Sequence, residues 1–330
     1  MEKRTGPIEK MHTRAADVVQ YALPVGDARI SLNPLLGKPV RFKYTGRIFC
    51  VNCGKATKSS FSQGYCFRCM QTLAQCDMCI LKPETCHHHL GTCREPEWGT
   101  AHCMVDHTVY LANSSGIKVG ITRSHQMKTR WMDQGAVQAL PIVRVKNRLH
   151  SGQVEIALAK VLPDKTNWRL MLQGKGEALD LKAKRDEVLA ALAAELPGER
   201  LAEDEFTFNY PVLAYPTKLT SLNLDKQPEV TGELLGIKGQ YLILSTGVIN
   251  MRKYGGYELE WESESIVEER DEETVAESGV VGIDAEAAIK GDPDAMAAVT
   301  EPGALHPVEN MVPRPMKAVA GEAASQTSLL

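Results

Sequence analysis

All nine cysteines of this 330-residue chain fall between residues 50 and 103. That clustering constrains the fold more than any other feature. Cys50-x2-Cys53 and Cys66-x2-Cys69 stand twelve residues apart. Two residues between thiolates let one tight turn aim both sulfurs at a single ion, and the loop brings up a second pair to close a tetrahedron. Gly54, directly after Cys53, suits such a turn because glycine accepts positive φ. The segment also holds Gly64, Gly91 and Gly99 and has too few apolar residues for a conventional core, so it needs a staple. The expected staple is a structural zinc on Cys50, Cys53, Cys66 and Cys69. Reduced buried cysteines are the competing reading, which the spacing disfavours. Disulfides are weaker still: residues 1–10 are charged, with no apolar stretch behind them, so no secretory signal is expected and the cytoplasm is the expected location.

A second set follows, Cys76, Cys79, Cys86, Cys93 and Cys103, with His87, His88, His89, His102 and His107 as further nitrogen donors. These are more donors than one site needs. Cys79, Cys86, Cys93 and Cys103 are the expected ligands of a second zinc, because they span the whole subdomain. One or two structural zinc ions are therefore expected.

Charge divides the chain. Residues 1–180 carry 25 Lys/Arg and 14 Asp/Glu, and the remainder carries 13 and 27. A basic body suits a polyanion, since each phosphate neutralised releases a counterion, while the bland reading is solvated surface charge. DNA or RNA is the expected partner. The acidic end offers a surface for a protein partner. No stretch approaches the roughly 20 apolar residues of a membrane span, so no membrane partner is expected.

Along the chain, residues 1–26 read as a polar lead-in with one helical stretch at 15–21. Residues 28–49 alternate as strands, and 27–106 form a strand region plus the zinc-stapled, zinc-ribbon-like subdomain. "HTVYLANSSGIKVGITR" reads as strand, turn at 113–116, strand. A helix at 125–135, a strand at 139–145, a helix at 151–162 capped by Ser151 and a long helix over 175–196 complete an αβ domain at 107–200. Residues 201–262 return to strands, as a small barrel or a sheet packed on the preceding domain. The acidic segment 263–330 has almost no aromatics and is expected to be disordered. The fold class is α+β.

"TVYLANSSGIKVGITR" resembles the paired-strand signature of the GIY-YIG nuclease superfamily, especially its divergent branches. Thr108-Val109-Tyr110 stands at the first motif and keeps only the tyrosine. Lys118-Val119-Gly120 stands at the second and keeps the glycine. Arg130 lies on the following helix and Glu155 on the next, where the superfamily carries its arginine and its metal-binding glutamate. This resemblance covers about residues 107–165. Over roughly residues 25–260, the cysteine region running through "GTCREPEWG", then "VYLA", "KVGITR", "RWMDQGA" and "DKTNWR", is similar to an uncharacterised bacterial domain-of-unknown-function family, which brings no activity with it.

The resemblance implies phosphodiester cleavage. Mg2+ on Glu155 would supply Lewis acidity, and Arg130 would hold a non-bridging oxygen through paired hydrogen bonds. Tyr110 would take the proton of the attacking water. A phenol near pKa ~10 is a poor base at neutral pH unless cations lower it. Lys118 would either depress Tyr110 or replace catalysis by plain phosphate binding. The expected function is a zinc-binding, nucleic-acid-binding protein with Mg2+-dependent cleavage. Its rivals are a non-catalytic binding module on the same fold and a zinc-stabilised protein-interaction adaptor. Arg123, Lys128, Arg144, Lys146 and Arg148 surround the motif and are expected to track a phosphate backbone. Trp168 with Arg169 is expected to stack on bases. Trp131 is expected in the core, and His125 and His150 at the surface.

Overall fold

A computed structural model describes residues 1–162, 167–174, 176–191, 196–265 and 267. The described residues fall in one compact unit, Met1–Glu273. In chain order it opens with β1 (Glu2–Pro7), β2 (His12–Arg14), β3 (Gln20–Val25), β4 (Ala28–Ser31), β5 (Pro39–Phe49) and β6 (Ala56–Thr57). The cysteine region adds only short helices, α1 (Phe67–Thr72), α2 (Met78–Leu81) and α3 (Pro96–His102), with single turns between them. Then come β7 (His107–Asn113), β8 (Ile117–Arg123), α4 (Met127–Asp133), β9 (Gln138–Val145), α5 (Arg148–Ala159), α6 (Trp168–Met171) and α7 (Leu181–Ala191). Strands β10 (Glu199–Arg200), β11 (Phe206–Thr207), β12 (Glu229–Lys238), β13 (Tyr241–Leu244), β14 (Gly247–Asn250) and β15 (Tyr257–Ser263) close it. The class is α+β, as expected. No helix among the described residues is long and apolar enough to cross a membrane.

Three antiparallel sheets organise these elements. A seven-stranded sheet runs β1-β15-β5-β12-β13-β14, with β6 on β5. A five-stranded sheet runs β10-β9-β7-β8, with β11 on β9. A three-stranded sheet runs β2-β3-β4. Every residue of β7 is buried, so this strand is central and apolar along most of its length. The order strand, strand, helix, strand, helix over 107–159 is the one expected.

Four expectations change. The lead-in is not peripheral: β1 pairs along its length with β15, and Ile8, Met11, Val19, Tyr21 and Leu23 are fully buried. The helix at 15–21 is absent: Gln20 and Tyr21 open β3 and pair with Arg14 and Thr13, and the Val19 N–H donates to Asn209 O, in keeping with the extended preference of Val19 and Tyr21. Residues 201–262 are not a separate β region. β10 and β11 extend the smaller sheet, while β12 and β15 flank β5, so the ends of the described chain complete one sheet. Helix α5 starts at Arg148, since Asn147 accepts the His150 N–H at 2.9 Å and is the cap; the Ser151 hydroxyl donates to Arg148 O inside the helix. Strand β15 runs through Ser263, and most of 263–330 lies outside the described residues, as does the 192–195 part of the expected 175–196 helix.

The main core joins all of these contributors. Trp261 of β15 stacks on Phe42 of β5, centroids 5.4 Å apart and planes 3° from parallel, both fully buried. Trp261→Ala is expected to destabilise the chain by about 3–5 kcal/mol, the usual cost of emptying a tryptophan-sized core site. Urea denaturation followed by far-UV circular dichroism would measure it.

Candidate functional site

The end of the β5–β6 hairpin carries Cys50 and Cys53, and the start of α1 carries Cys66 and Cys69. The four sulfurs all lie within 4.8 Å of one another. Cys53 Sγ and Cys66 Sγ are 3.9 Å apart, close to the about 3.8 Å edge of a tetrahedron with metal–sulfur bonds near 2.3 Å. Gly54 takes φ +67° and donates its N–H to Cys50 O at 2.8 Å, which closes the turn. Burial works against ionisation of Cys50, yet the N–H groups of Cys66, Cys53 and Asn52 aim at its sulfur and lower its pKa to about 7. Burial and the neighbouring Cys66 thiol push Cys69 up to about 12, against the Asn52 amide at 3.5 Å. Four sulfurs this close cannot all ionise without a cation between them, so the donor set fits zinc.

The second set is looser. Cys79, Cys86, Cys93 and Cys103 border one small cavity, beside His87 and His88. Their sulfurs stand farther apart than those of the first cluster; the group within 4.8 Å here is Asp77, Cys79 and His87. Cys76 stays outside both sets, and burial pushes its thiol up to about 11.

Beside the β7–β8 hairpin lies a cleft of about 530 Å3. Strand β8 gives it Lys118, Gly120 and Arg123; α4 gives Arg130, Asp133 and Gln134; α5 gives Arg148 and Glu155. Ile80, Leu81 and Pro83 of the cysteine region form another wall, and Lys10 and Arg252 complete the rim. Five residues singled out from the sequence therefore converge here: Lys118, Arg123, Arg130, Arg148 and Glu155.

Tyr110 lies behind the lining rather than in it. It is fully buried, pairs across the sheet with Gly120, and donates its hydroxyl to Gln134 Oε1 at 3.1 Å. A Cβ on residue 120 would come 2.6 Å from the Tyr110 oxygen, so only glycine leaves room for the ring. Burial raises the Tyr110 pKa, and the adjacent Arg130 opposes this without reversing it. The expected depression by Lys118 is not what acts there.

Arg123, Arg130, Arg148 and Arg252 share the cleft lining with the carboxylates of Asp133 and Glu155. Arg148 Nε and Nη2 donate to Cys79 O and Ile80 O at 3.1 and 2.6 Å. Arg252 Nε donates to Gln63 Oε1 at 2.6 Å. Burial lowers the pKa of Arg123, with Arg148 adding like-charge repulsion; burial lowers that of Arg252, with Arg130 adding the same. Asp133 is committed elsewhere: Lys10 Nζ sits 2.8 Å from one oxygen, and Thr13 and Gln240 donate to the other.

Other expected contacts fall outside the cleft lining. Arg144 faces Glu199 and Glu203 on the far side of β9, at 3.7 and 3.3 Å. Lys146 is exposed beside Asp106, and Lys128 lies over the Phe206 ring. Trp168 stacks on Tyr241, with the Arg169 guanidinium 4.4 Å over its ring, so its faces are already occupied. Trp131 is fully buried, as expected. His125 is exposed and His150 half-buried, and neither lines the cleft. Lys10 and Arg252 were missed by sequence reasoning, for they lie far from the hairpin motif along the chain and carry no local signature.

A family model described as a protein of unknown function, DUF2797, matches residues 37–259. No curated protein and no solved structure matches the chain.

Cys66→Ser is expected to remove one zinc ion per chain and to loosen the hairpin end. Metal analysis by mass spectrometry, with hydrogen exchange over residues 50–69, would check it. An unchanged zinc content would contradict the four-thiolate centre.

Proposed function

We propose, for a chain that belongs to the DUF2797 family of proteins of unknown function, that the cationic cleft binds the phosphodiester backbone of DNA or RNA and cleaves it with Mg2+. The observation that carries this reading is the gathering of four arginines around Glu155 in one cleft. Such a group of cations is held at a cost unless an anion joins it, and guanidinium forks match phosphate oxygens in pairs. The resemblance of the hairpin to GIY-YIG nucleases supports the same assignment.

Glu155 is half-buried on α5 and lines the cleft, whereas Asp133 is taken by Lys10, Thr13 and Gln240. With a phosphate oxygen and waters it would give Mg2+ the hard oxygen shell it prefers; bound there, the ion would supply Lewis acidity to the phosphate. Arg130 and Arg252 would bind non-bridging oxygens, and Arg123 with Arg148 the next phosphate along. Tyr110 acts as a positioning residue: its neutral phenol holds Arg130 and Gln134 at the cleft floor. Lys118, buried beside Gly120, adds a fixed positive charge.

A second reading is favoured by one observation. The buried, raised phenol of Tyr110 is unsuited to taking a proton, which fits a cleft that binds nucleic acid without cutting it.

Incubating the protein with labelled single- and double-stranded DNA and RNA, with Mg2+ or EDTA, decides between them. Glu155→Gln is expected to lower cleavage about 100-fold or more while leaving affinity within a few fold. Binding without cleavage by the wild type would sink the enzyme reading and leave the binding one.

Arg252→Ala is expected to weaken binding to every sequence alike and to reduce the slope of log affinity against log salt by about 1. A flat salt dependence of the wild type would remove nucleic acid altogether. Tyr110→Phe is expected to keep cleavage within about threefold, because its proton is not transferred; a loss of about 100-fold would restore it as the base.

A further inference from the structure

We propose that Cys79, Cys86, Cys93 and Cys103 form a second centre for a thiophilic divalent ion such as zinc, and that filling it fixes the wall of the cationic cleft. Cys79, Cys86 and Cys103 are 8%, 4% and 4% exposed and pack together under Trp98, Met104 and Leu149. All four cysteines border a cavity of about 10 Å3, the space of one ion rather than of a side chain. Gly99 closes one side, where a Cβ would come 3.1 Å from Cys93 Sγ and 2.7 Å from the His88 ring. Binding would release the thiol protons to solvent and draw the sulfurs inward by rotation about Cα–Cβ.

A rival donor set, Asp77, Cys79 and His87, lies closer together but is otherwise engaged. Asp77 Oδ2 is 2.7 Å from Arg94 Nε, and Asp77 Oδ1 accepts the Cys79 N–H at the start of α2. His87 Nδ1 bonds Thr92 Oγ1 at 2.8 Å. An ion there would have to displace a guanidinium. Among the described residues Cys86 and Cys103 have no such competitor, and Cys93 makes a weak 3.5 Å contact with Glu95 O.

The backbone of the thiol centre is the cleft wall. Cys79 and Cys86 bracket the turn Pro83–Thr85, which docks on Gly152 of α5 so closely that a side chain at 152 would strike Pro83 and Glu84. The Cys79 and Ile80 carbonyls hold the Arg148 guanidinium, and the Cys103 carbonyl accepts the Arg148 N–H at 2.8 Å. Arg148 opens the helix that carries Glu155, and Ile80, Leu81 and Pro83 line the cleft. An ion on these thiolates therefore fixes both the wall and one of its cations. The coupling to ligand binding rests on the nucleic-acid reading above, whereas the ion count does not.

The test uses the full chain as wild type, Cys86→Ser, Cys103→Ser, His87→Gln and Cys66→Ser. Zinc is counted by native mass spectrometry, and affinity is measured with a labelled 30-nucleotide DNA and RNA. Two ions in the wild type and in His87→Gln, one in each cysteine variant, and an affinity loss of tenfold or more in Cys86→Ser are expected. Should Cys86→Ser fail to fold, Cys93→Ser, at a half-buried position, carries the same measurement. One ion in the wild type, or a second ion lost in His87→Gln and kept in Cys86→Ser, overturns the site. One ion lost with affinity unchanged overturns the coupling. A wild type that binds neither nucleic acid removes the proposed function and the coupling with it, while the ion count still decides the centre.

Discussion

Holding four guanidinium groups around one cleft is the constraint on which the rest of this structure depends. Two like charges about 4 Å apart near a protein surface repel by about 4 kcal/mol. The groups come from β8, α4, α5 and the turn after β14, so no one sheet alone assembles them. The offset is distributed. Backbone carbonyls of the cysteine region take Arg148, Gln63 takes Arg252, and the Tyr110 hydroxyl meets Arg130. Gln240 then ties the floor together, since its amide bonds both Met11 O and Asp133 while its carbonyl accepts the Met11 N–H. That one side chain joins the β1–β2 loop, the β12–β13 turn and α4. Neutral dipoles thus share in the compensation, and with six Lys/Arg against Asp133 and Glu155 in the lining the cleft keeps a net positive charge.

The part of the fold that was legible lies where the local pattern was strong. β7, the 113–116 turn and β8 follow from an apolar run broken by Ser-Ser-Gly, and α4, β9 and α5 follow from their periodicity. Strand β1 was not legible because its partner, β15, lies some 250 residues away and nothing in residues 1–26 announces it. The same distance hides the union of β5, β12 and β15.

Site residues divide along the same line. Lys118, Arg123, Arg130, Arg148 and Glu155 were found because short-range spacing on the hairpin and two helices sets which way they face. Arg144 and Lys146 were equally basic and equally near, but tertiary structure gives them Glu199, Glu203 and Asp106. Partnering, not proximity in sequence, decides which cations remain for a ligand. The first cysteine cluster was legible in full because its four ligands come from two tight turns, whereas the second depends on how three short helices pack.

Tyr110, expected from the sequence to accept a proton, is built for a different task. A phenol raised above its ordinary value near 10 is ionised to less than about one part in a thousand at neutral pH, so it donates a proton but does not accept one. Its donor serves Gln134 and its oxygen faces Arg130, an arrangement that needs the ring at full burial behind β8. Gly120 is what allows that burial, for any larger residue would push the ring away from the floor. The position of the charged group nearest the hairpin is thus set by an uncharged pair, one tyrosine and one glycine.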